Sequence, residues 1–285
     1  MSTDDASVQQ FTSWQHHARR SRRRERIREI TRQAHEGQTR NAGRLPYWVH
    51  TDAVADICHR AAERTGELDT DVADDLVIAA HGHDLYEDTS VAPESIRTEF
   101  GPRVDDWIAT MTNRIGDHDR ADYMRQLVAA DDEVRLIKCA DLIDNTLSVA
   151  YGIHDLGLYW TRKFFEPIAR ETREMLLTTP FTRLPRTGEY LVGLVDAAWE
   201  RLTDSLASTG TIMALRREEH AQAVAATAAD ETLTPEQRQF NISAMISPDS
   251  WEESLAKTRA REKAEGDRLF GDGPRFFIPD VDTDA

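Results

Sequence analysis

The chain has 285 residues, a formal net charge of −16 at pH 7, and two cysteines, Cys58 and Cys139. This length suffices for one large domain or two modest ones, each with its own core. The cysteines form no CxxC pair, so a disulfide framework is not expected. This cysteine content is typical of a protein in the reducing cytoplasm, which is the predicted location. The negative charge argues against general nucleic-acid binding, and no apolar run of about 18 residues predicts a membrane span.

Apolar residues recur at helical spacing along most of the chain, and no convincing strand alternation is present. The predicted fold class is therefore all-α. The first predicted helix contains eight arginines and two acids between Arg19 and Arg32, which we interpret as a solvated face. The predicted helical segments are 11–35, 53–61, 72–83, 93–100, 104–111, 123–130, 134–151, 159–177, 190–205, 213–228 and 235–263.

The sequence divides into four segments. Residues 1–10 are polar and expected to be disordered, and residues 11–178 are expected to form the main helical domain, beginning with the arginine-rich helix. After a linker with two prolines, residues 179–268 form a predicted helical extension, and residues 269–285 form an acidic flexible tail. The extension could pair two copies of the chain, cover the site, or pack on the first bundle.

Imidazoles and carboxylates occur together in separate segments of the predicted helical domain. His50 begins one predicted helix, His83 and Asp84 end another, and Asp141 lies inside a third. A divalent cation that acts on phosphate needs nitrogen and oxygen ligands from several elements, with positions left open for water and substrate. Asp84 is followed closely by Glu87 and Asp88, and carboxylates so close together repel one another unless a cation joins them.

The helix around Asp141 carries a polar sector on an otherwise apolar surface. At about 100° per residue, Lys138, Asp141, Asn145 and Ser148 fall on one side of this helix. Because most of the remaining circumference is apolar, the helix is predicted to be buried, and its polar groups need partners. A metal ion with a phosphorylated substrate would supply them.

The ordered set of motifs resembles RelA/SpoT-type alarmone hydrolase domains, which are HD-type metal-dependent phosphohydrolases, over roughly residues 30–175. The motifs that carry the resemblance are His35-Glu36-Gly37-Gln38-Thr39-Arg40, Gly43, Pro46-Tyr47, His50, Ala79-Ala80, His83-Asp84, Glu87-Asp88-Thr89, Phe100-Gly101, Met111-Thr112, Ile137-Lys138, Ala140-Asp141 and Asn145. The resemblance implies an all-α HD-domain helical bundle, here with additional C-terminal helices and no recognisable synthetase domain.

The resemblance also implies one manganese ion and removal of pyrophosphate from the 3′ position of (p)ppGpp, a purine nucleotide. Glu87 and Asp88 would position or deprotonate the attacking water. On the substrate side, Arg40 would lie against the purine base, Asn145 and Ser148 would face the ribose, and Lys138 would supply a cation. The implied metal ligands are His50, His83, Asp84 and Asp141.

Four positions depart from the family pattern, and three of them lack an expected cation. They are Asn41, Thr51, Leu142 and Leu147. Arg44 or the Arg162-Lys163 pair could compensate for the missing charge. These departures leave other substrates open, namely an adenine alarmone, the 2′-phosphate of NADPH or a nucleoside triphosphate. A non-catalytic regulator that binds nucleotide or nucleic acid is a further alternative.

Overall fold

The computed structural model describes residues 3–40, 45–113, 120–250, 252–255 and 257, with side chains from residue 18 onward. The described residues contain no β-strand, and one isolated bridge joins Thr39 to Pro46. The all-α prediction is thereby confirmed for this part of the chain. The helices are α1 (Thr3–Ala34), α2 (Trp48–Thr65), α3 (Thr70–Gly82), α4 (Leu85–Asp88), α5 (Pro93–Phe100), α6 (Pro102–Met111), α7 (Arg120–Ala129), α8 (Asp132–Tyr151), α9 (Ile153–Leu156), α10 (Leu158–Trp160), α11 (Glu166–Thr178), α12 (Pro185–Ala229) and α13 (Pro235–Ser243), with a π-helical turn at Thr161–Phe165.

Helix α8 lies at the centre of the bundle and packs against α2, α11 and α12. Leu136, Ile137 and Ala140 are fully buried, as the apolar circumference of this helix predicts. Helix α3 is buried along its second half and packs against α1, α2 and α6. A Cβ on Gly82 would lie 2.8 Å from Cδ1 of Ile108. A glycine at this position therefore lets α6 pack closely against the end of α3.

Ion pairs attach the arginine-rich part of α1 to the bundle. Arg23 and Arg24 both bind the carboxylate of Asp74 on α3, at 2.7 Å each. Arg28 and Arg32 both bind Asp52 on α2, at 2.9 Å each. The arginine run was interpreted as a solvated face, but these four members instead neutralise acids on neighbouring helices.

The N-terminal helix starts earlier than the sequence predicts. Helix α1 begins at Thr3, so residues 3–10 are helical where disorder was expected. Adding a turn to an existing helix is cheaper than nucleating one, and the ion-paired half of α1 provides that nucleus. The acidic tail predicted at 269–285 lies outside the described residues.

The described part of the C-terminal extension is one long helix followed by shorter helical segments. Two helices were predicted at 190–205 and 213–228, but α12 runs unbroken from Pro185 to Ala229. It continues through the intervening residues because Leu206, Thr209 and Met213 extend its buried face. Within the helix predicted at 235–263, α13 ends at Ser243, and helical structure resumes at Pro248 through residues 248–250 and 252–255. Proline is tolerated in the first turn of a helix, because the missing N–H has no intrahelical partner there. Residues 258–263 lie outside the described part of the chain.

The linker predicted near residue 178 lies where α11 ends at Thr178. Beyond it, Leu191, Val195 and Ala198 on α12 belong to the same hydrophobic core as α8. The first half of the extension therefore packs on the bundle, one of the arrangements that the sequence left open. Among the described helices, none is long and apolar enough to cross a membrane.

Candidate metal centre

Two buried imidazoles face each other where α2, α3 and α8 meet. His50 lies in the first turn of α2 and His83 directly follows α3, and their ring centroids are 5.1 Å apart. Nδ1 of His83 lies 2.8 Å from the carbonyl oxygen of Ala80, and Nδ1 of His50 lies 2.7 Å from Oδ2 of Asp144. Both oxygens accept, so each Nδ1 carries the proton. Each neutral ring then presents the lone pair of Nε2 to the space between them.

Two carboxylates converge on the same Nε2 atoms. Oδ2 of Asp84 lies 2.9 Å from Nε2 of His83 and 3.5 Å from Nε2 of His50. Oδ1 of Asp141 lies 3.3 Å from Nε2 of His50 and 3.8 Å from Nε2 of His83. Within the described part of the chain, both Nε2 atoms are buried without a hydrogen-bond partner. Two unpartnered nitrogens beside two carboxylates are the donor set that a divalent cation requires.

The pKa values of these groups reflect their close contact. Burial disfavours the charged imidazoles, but Asp84 and Asp141 outweigh it and raise the pKa of His83 to about 9. The pKa of His50 is likewise raised well above its ordinary value by Asp141, Asp144 and Asp84 against the effect of burial. Burial raises the pKa of Asp84 and of Asp141, but the imidazoles, together with Lys138 at Asp141, leave both well below the ordinary range. Protons and a cation therefore compete for the same nitrogens.

Glu87 and Asp88 lie beside this cluster on the short helix α4. Burial, followed by the charge of Asp84, raises the pKa of Glu87 to about 7 and that of Asp88 to about 8. Glu87 accepts a hydrogen bond of 2.8 Å from the backbone N–H of Asn113. Oδ1 of Asp88 is buried and has no hydrogen-bond partner among the described residues. Both acids lie on a separate short helix, because α3 ends at Gly82 and Asp84 is the N-cap of α4.

The polar sector predicted on α8 forms a chain of contacts around Asp141. Nζ of Lys138 donates to Oδ2 of Asp141 at 2.8 Å, and Nδ2 of Asn145 donates to Oδ1 at 2.6 Å. Ser148 is half-buried on the same helix, and its hydroxyl makes no hydrogen bond within the described residues. Three of the four predicted members are therefore connected to one another, and Ser148 is not connected to them.

Arg40 enters the site from the segment between α1 and α2. Its Nη1 donates to Oδ2 of Asp144, and its Nη2 donates to Oδ1 of Asn145 at 3.1 Å. Burial raises the pKa of Asp144, but the hydrogen bond from His50 and the charge of Arg40 outweigh burial and hold the pKa below its ordinary value. Arg40, which the resemblance implies to lie against a purine base, therefore binds two residues that contact candidate metal ligands.

Two residues that contact the candidate ligands were not predicted as members of the site. Asp144 binds His50, and Tyr47 donates a hydrogen bond of 2.7 Å to Oδ2 of Asp84. Asp144 follows Asp141 by three residues on α8, so helical spacing could have included it in the polar sector. Tyr47 contributes to the motif with Pro46, but no spacing rule connects it to Asp84 across 37 residues.

Sequence comparisons find two curated relatives, both guanosine-3′,5′-bis(diphosphate) 3′-pyrophosphohydrolases. The protein of Vibrio cholerae is 36% identical over 125 residues, and that of Haemophilus influenzae is 34% identical over the same length. Each match covers 41% of this chain. The resemblance to RelA/SpoT-type hydrolases is confirmed. The matched part is only 16% and 17% of the two relatives' own lengths, and no family model matches the chain.

Two solved structures are similar to this RelA/SpoT-like chain. One is a metazoan ortholog of SpoT described as hydrolysing ppGpp, with 19% identity and a TM-score of 0.46 over 63% of this chain and 94% of that one. The other is a protein of Listeria monocytogenes EGD-e, with 22% identity and a TM-score of 0.40 over 54% of this chain and 97% of that one.

The structure shows where several positions lie that match the RelA/SpoT pattern, and where several lie that depart from it. Of the four proposed metal ligands, His50, His83 and Asp84 each offer one atom within 4.8 Å of the others, and Oδ1 of Asp141 lies 3.3 Å from Nε2 of His50. Glu87 and Asp88 lie next to them on α4. Leu142 is buried and Leu147 is half-buried. Neither leucine supplies the cation that the family pattern has at its position. Lys163 donates to the hydroxyl of Tyr159 at 2.7 Å. Asn41 and Arg44 lie outside the described residues.

Proposed function

We propose that the chain is a metal-dependent hydrolase that removes the 3′-pyrophosphate of (p)ppGpp, giving GDP or GTP and pyrophosphate with the uptake of one water. Manganese is the expected ion, held by His50, His83, Asp84 and Asp141. The observation that carries this proposal is the pair of buried, unpartnered Nε2 atoms that face two carboxylates. The relatives' activity supports the choice of reaction.

The residues of the chain have distinct roles in this reaction. A bound divalent cation lowers the pKa of water and offsets phosphate charge. Glu87 and Asp88 are the proposed acceptors of the water's proton, because they are the carboxylates that lie beside the candidate ligands on α4. Asn145, Ser148 and Lys138 are the proposed contacts to the sugar and phosphates.

The small number of positive charges near the candidate metal site leaves more than one phosphorylated nucleotide possible as the substrate. Two cations of the described residues lie close to the candidate ligands, and both are already paired, Arg40 with Asp144 and Lys138 with Asp141. Leu142 and Leu147 add no positive charge. One divalent ion therefore provides most of the attraction for phosphate, which is weaker than in a site with additional arginines. An adenine alarmone, the 2′-phosphate of NADPH or a nucleoside triphosphate is the alternative substrate.

A nucleic-acid-binding regulator is less favoured. It would rely on the arginines of α1, and six of them pair with carboxylates on α1, α2, α3 or α5: Arg20, Arg23, Arg24, Arg26, Arg28 and Arg32. Phosphate contacts would have to compete with these pairs. Binding to RNA or DNA that weakens steeply with salt, without metal binding or hydrolysis, would favour this alternative.

The experiment is metal analysis and turnover of wild type beside Asp84→Asn, with Asp56→Asn as control. Asp56 is an exposed partner of Arg60 and lies outside the site. We expect Asp84→Asn to lose metal and pyrophosphate release while keeping its helical content, and the control to match wild type. A panel of ppGpp, adenine alarmones, NADPH and nucleoside triphosphates separates the substrates. Turnover of another nucleotide without turnover of ppGpp would exclude the first proposal.

A further inference from the structure

The guanidinium of Arg40 is connected to two candidate metal ligands through intermediate residues. Arg40 donates one hydrogen bond to Asp144 and a second to Asn145. Asp144 binds Nδ1 of His50 at 2.7 Å, and Asn145 binds Oδ1 of Asp141 at 2.6 Å. The two arms of this arrangement therefore end on ligands that come from different helices, α2 and α8.

The chemistry of each link fixes the orientation of the next. A guanidinium only donates, so Asn145 must turn its Oδ1 towards Arg40 and its Nδ2 towards the carboxylate of Asp141. A carboxylate only accepts, so Asp144 fixes the proton of His50 on Nδ1 and leaves Nε2 free for a cation. Arg40 thus selects one amide orientation and supports one histidine tautomer.

Burial makes these contacts strong. The side chain of Arg40 is 9% exposed and that of Asp144 is 17% exposed. Charge-assisted hydrogen bonds in such surroundings are stronger than those in water. Breaking the ion pair of Arg40 with Asp144 would cost free energy, because the carboxylate of Asp144 would lose its cation.

We propose that Arg40 and Asp144 are positioning residues for the metal site, with Arg40 orienting His50 through Asp144 and Asp141 through Asn145. This assigns Arg40 a role different from contact with a purine base. The inference rests on the proposed function only in requiring that the site holds a metal ion. It requires no particular nucleotide.

The test is the Mn²⁺ affinity of Arg40→Ala, Asp144→Ala and the double variant, measured by competition with a chelating dye in the absence of nucleotide. We expect each single variant to bind Mn²⁺ about 10–100-fold more weakly, which is typical of residues that orient metal ligands. The double variant should lose much less than the product of the two single effects, because both act through one connection. The control pair Arg60→Ala and Asp56→Ala, an exposed ion pair, should leave the affinity unchanged.

Conservative variants separate positioning from general loss of structure. Arg40→Lys retains the charge but cannot bind Asp144 and Asn145 with two parallel donors, so it should weaken Mn²⁺ binding while helical content is kept. In metal-free protein, at a pH above the raised pKa of both imidazoles so that the rings are neutral, ¹⁵N NMR should show loss of the Nδ1–H preference at His50 in Asp144→Ala. The preference at His83 should persist, because its Nδ1 donates to the carbonyl oxygen of Ala80.

Two results would overturn the proposal. One is unchanged Mn²⁺ affinity in Asp144→Ala. The other is unchanged Mn²⁺ affinity in Arg40→Ala together with a raised KM for the nucleotide, which would return Arg40 to the substrate. If wild type turns over none of the nucleotides but the metal affinities change as expected, the proposed function fails and this inference stands.

Discussion

The phenol of Tyr47 donates a hydrogen bond of 2.7 Å to Oδ2 of Asp84, the oxygen that also lies nearest His83. The ring of Tyr47 stacks on His35 at a centroid distance of 4.7 Å, so its position does not depend on the hydroxyl. Tyr47 thereby orients a candidate ligand.

Tyr47→Phe should therefore weaken metal binding without unfolding the protein. Loss of an orienting hydrogen bond reduces metal affinity by about 10-fold or more, whereas the stability cost is about 1 kcal/mol. Dye competition with Mn²⁺ measures the first quantity and denaturant unfolding of the metal-free protein the second. Tyr86→Phe, which removes a hydroxyl bound to Asp105, is the matched control. Equal affinities in the two variants would contradict this role for Tyr47.

Glu87→Gln and Asp88→Asn identify the general base. The residue that takes the proton from water should lower kcat by about 10²–10⁴-fold on substitution, while metal affinity stays near that of wild type. In Glu87→Gln the amide oxygen can still accept the N–H of Asn113 at the position of the carboxylate, so the local structure is expected to persist. Steady-state kinetics with Mn²⁺ at saturation measures the effect. If both variants retain kcat, neither carboxylate acts as the base.

Asp74 should be the most important ion-pair partner of α1. Its side chain is 0% exposed and binds both Arg23 and Arg24. Asp74→Ala leaves both guanidiniums without their buried partner, so unfolding should become easier by about 3 kcal/mol. Asp71→Ala is the control, because Asp71 is 85% exposed and lies 3.8 Å from Arg20, and its loss should cost less than about 0.5 kcal/mol. Denaturant midpoints that shift equally would contradict this prediction.

Glu67 links stability to pH through the start of α12. It accepts hydrogen bonds from the backbone N–H and the hydroxyl of Thr187, both at 2.8 Å. Burial raises its pKa, but these bonds outweigh it and lower the pKa below the ordinary value. The ionised group therefore stabilises the fold above the unfolded pKa of about 4.3, and this contribution is lost as the pH falls through the lower folded pKa.

The corresponding variant is Glu67→Gln. At pH 7 it should unfold about 1 kcal/mol more easily than wild type, the usual cost of a weakened helix cap. The difference should shrink as the pH falls below about 4, because the wild-type carboxyl becomes neutral as well. Urea unfolding of both proteins between about pH 7 and pH 3.5 measures the trend. A difference that stays constant with pH would show that ionisation of Glu67 is not involved.

Local periodicity predicted the parts of the fold that depend on it. The buried face of α8 and the position of His50 at the start of a helix follow from apolar spacing. Helix α3 ends at Gly82, one residue before the predicted boundary at His83. The unbroken length of α12 does not follow from apolar spacing, because its continuity depends on the packing of Leu206 and Met213 against distant residues. Sequence spacing does not encode that packing.

For the candidate site, as for the fold, local sequence patterns predicted some residues, and contacts between distant residues were not predictable. Motif order located the four candidate ligands, since each motif carries its own chemistry. The pairing of Arg40 with Asp144 spans 104 residues and involves no local pattern. Helical spacing could suggest Asp144 as a member of the polar sector, but only tertiary structure assigns His50 and Arg40 as its partners.

The attachment of α1 makes the site sensitive to ionic strength. Among the described side chains of α1, few are buried, namely Ile27 and Thr31, while its arginines bind acids on three other helices. Directly after α1, Gln38 donates to the carbonyl of Asp88 at 3.0 Å, so movement of this helix reaches a catalytic candidate. Because the Debye length falls to about 3 Å at 1 M salt, high salt should loosen α1 and expose it to proteases before the apolar core opens.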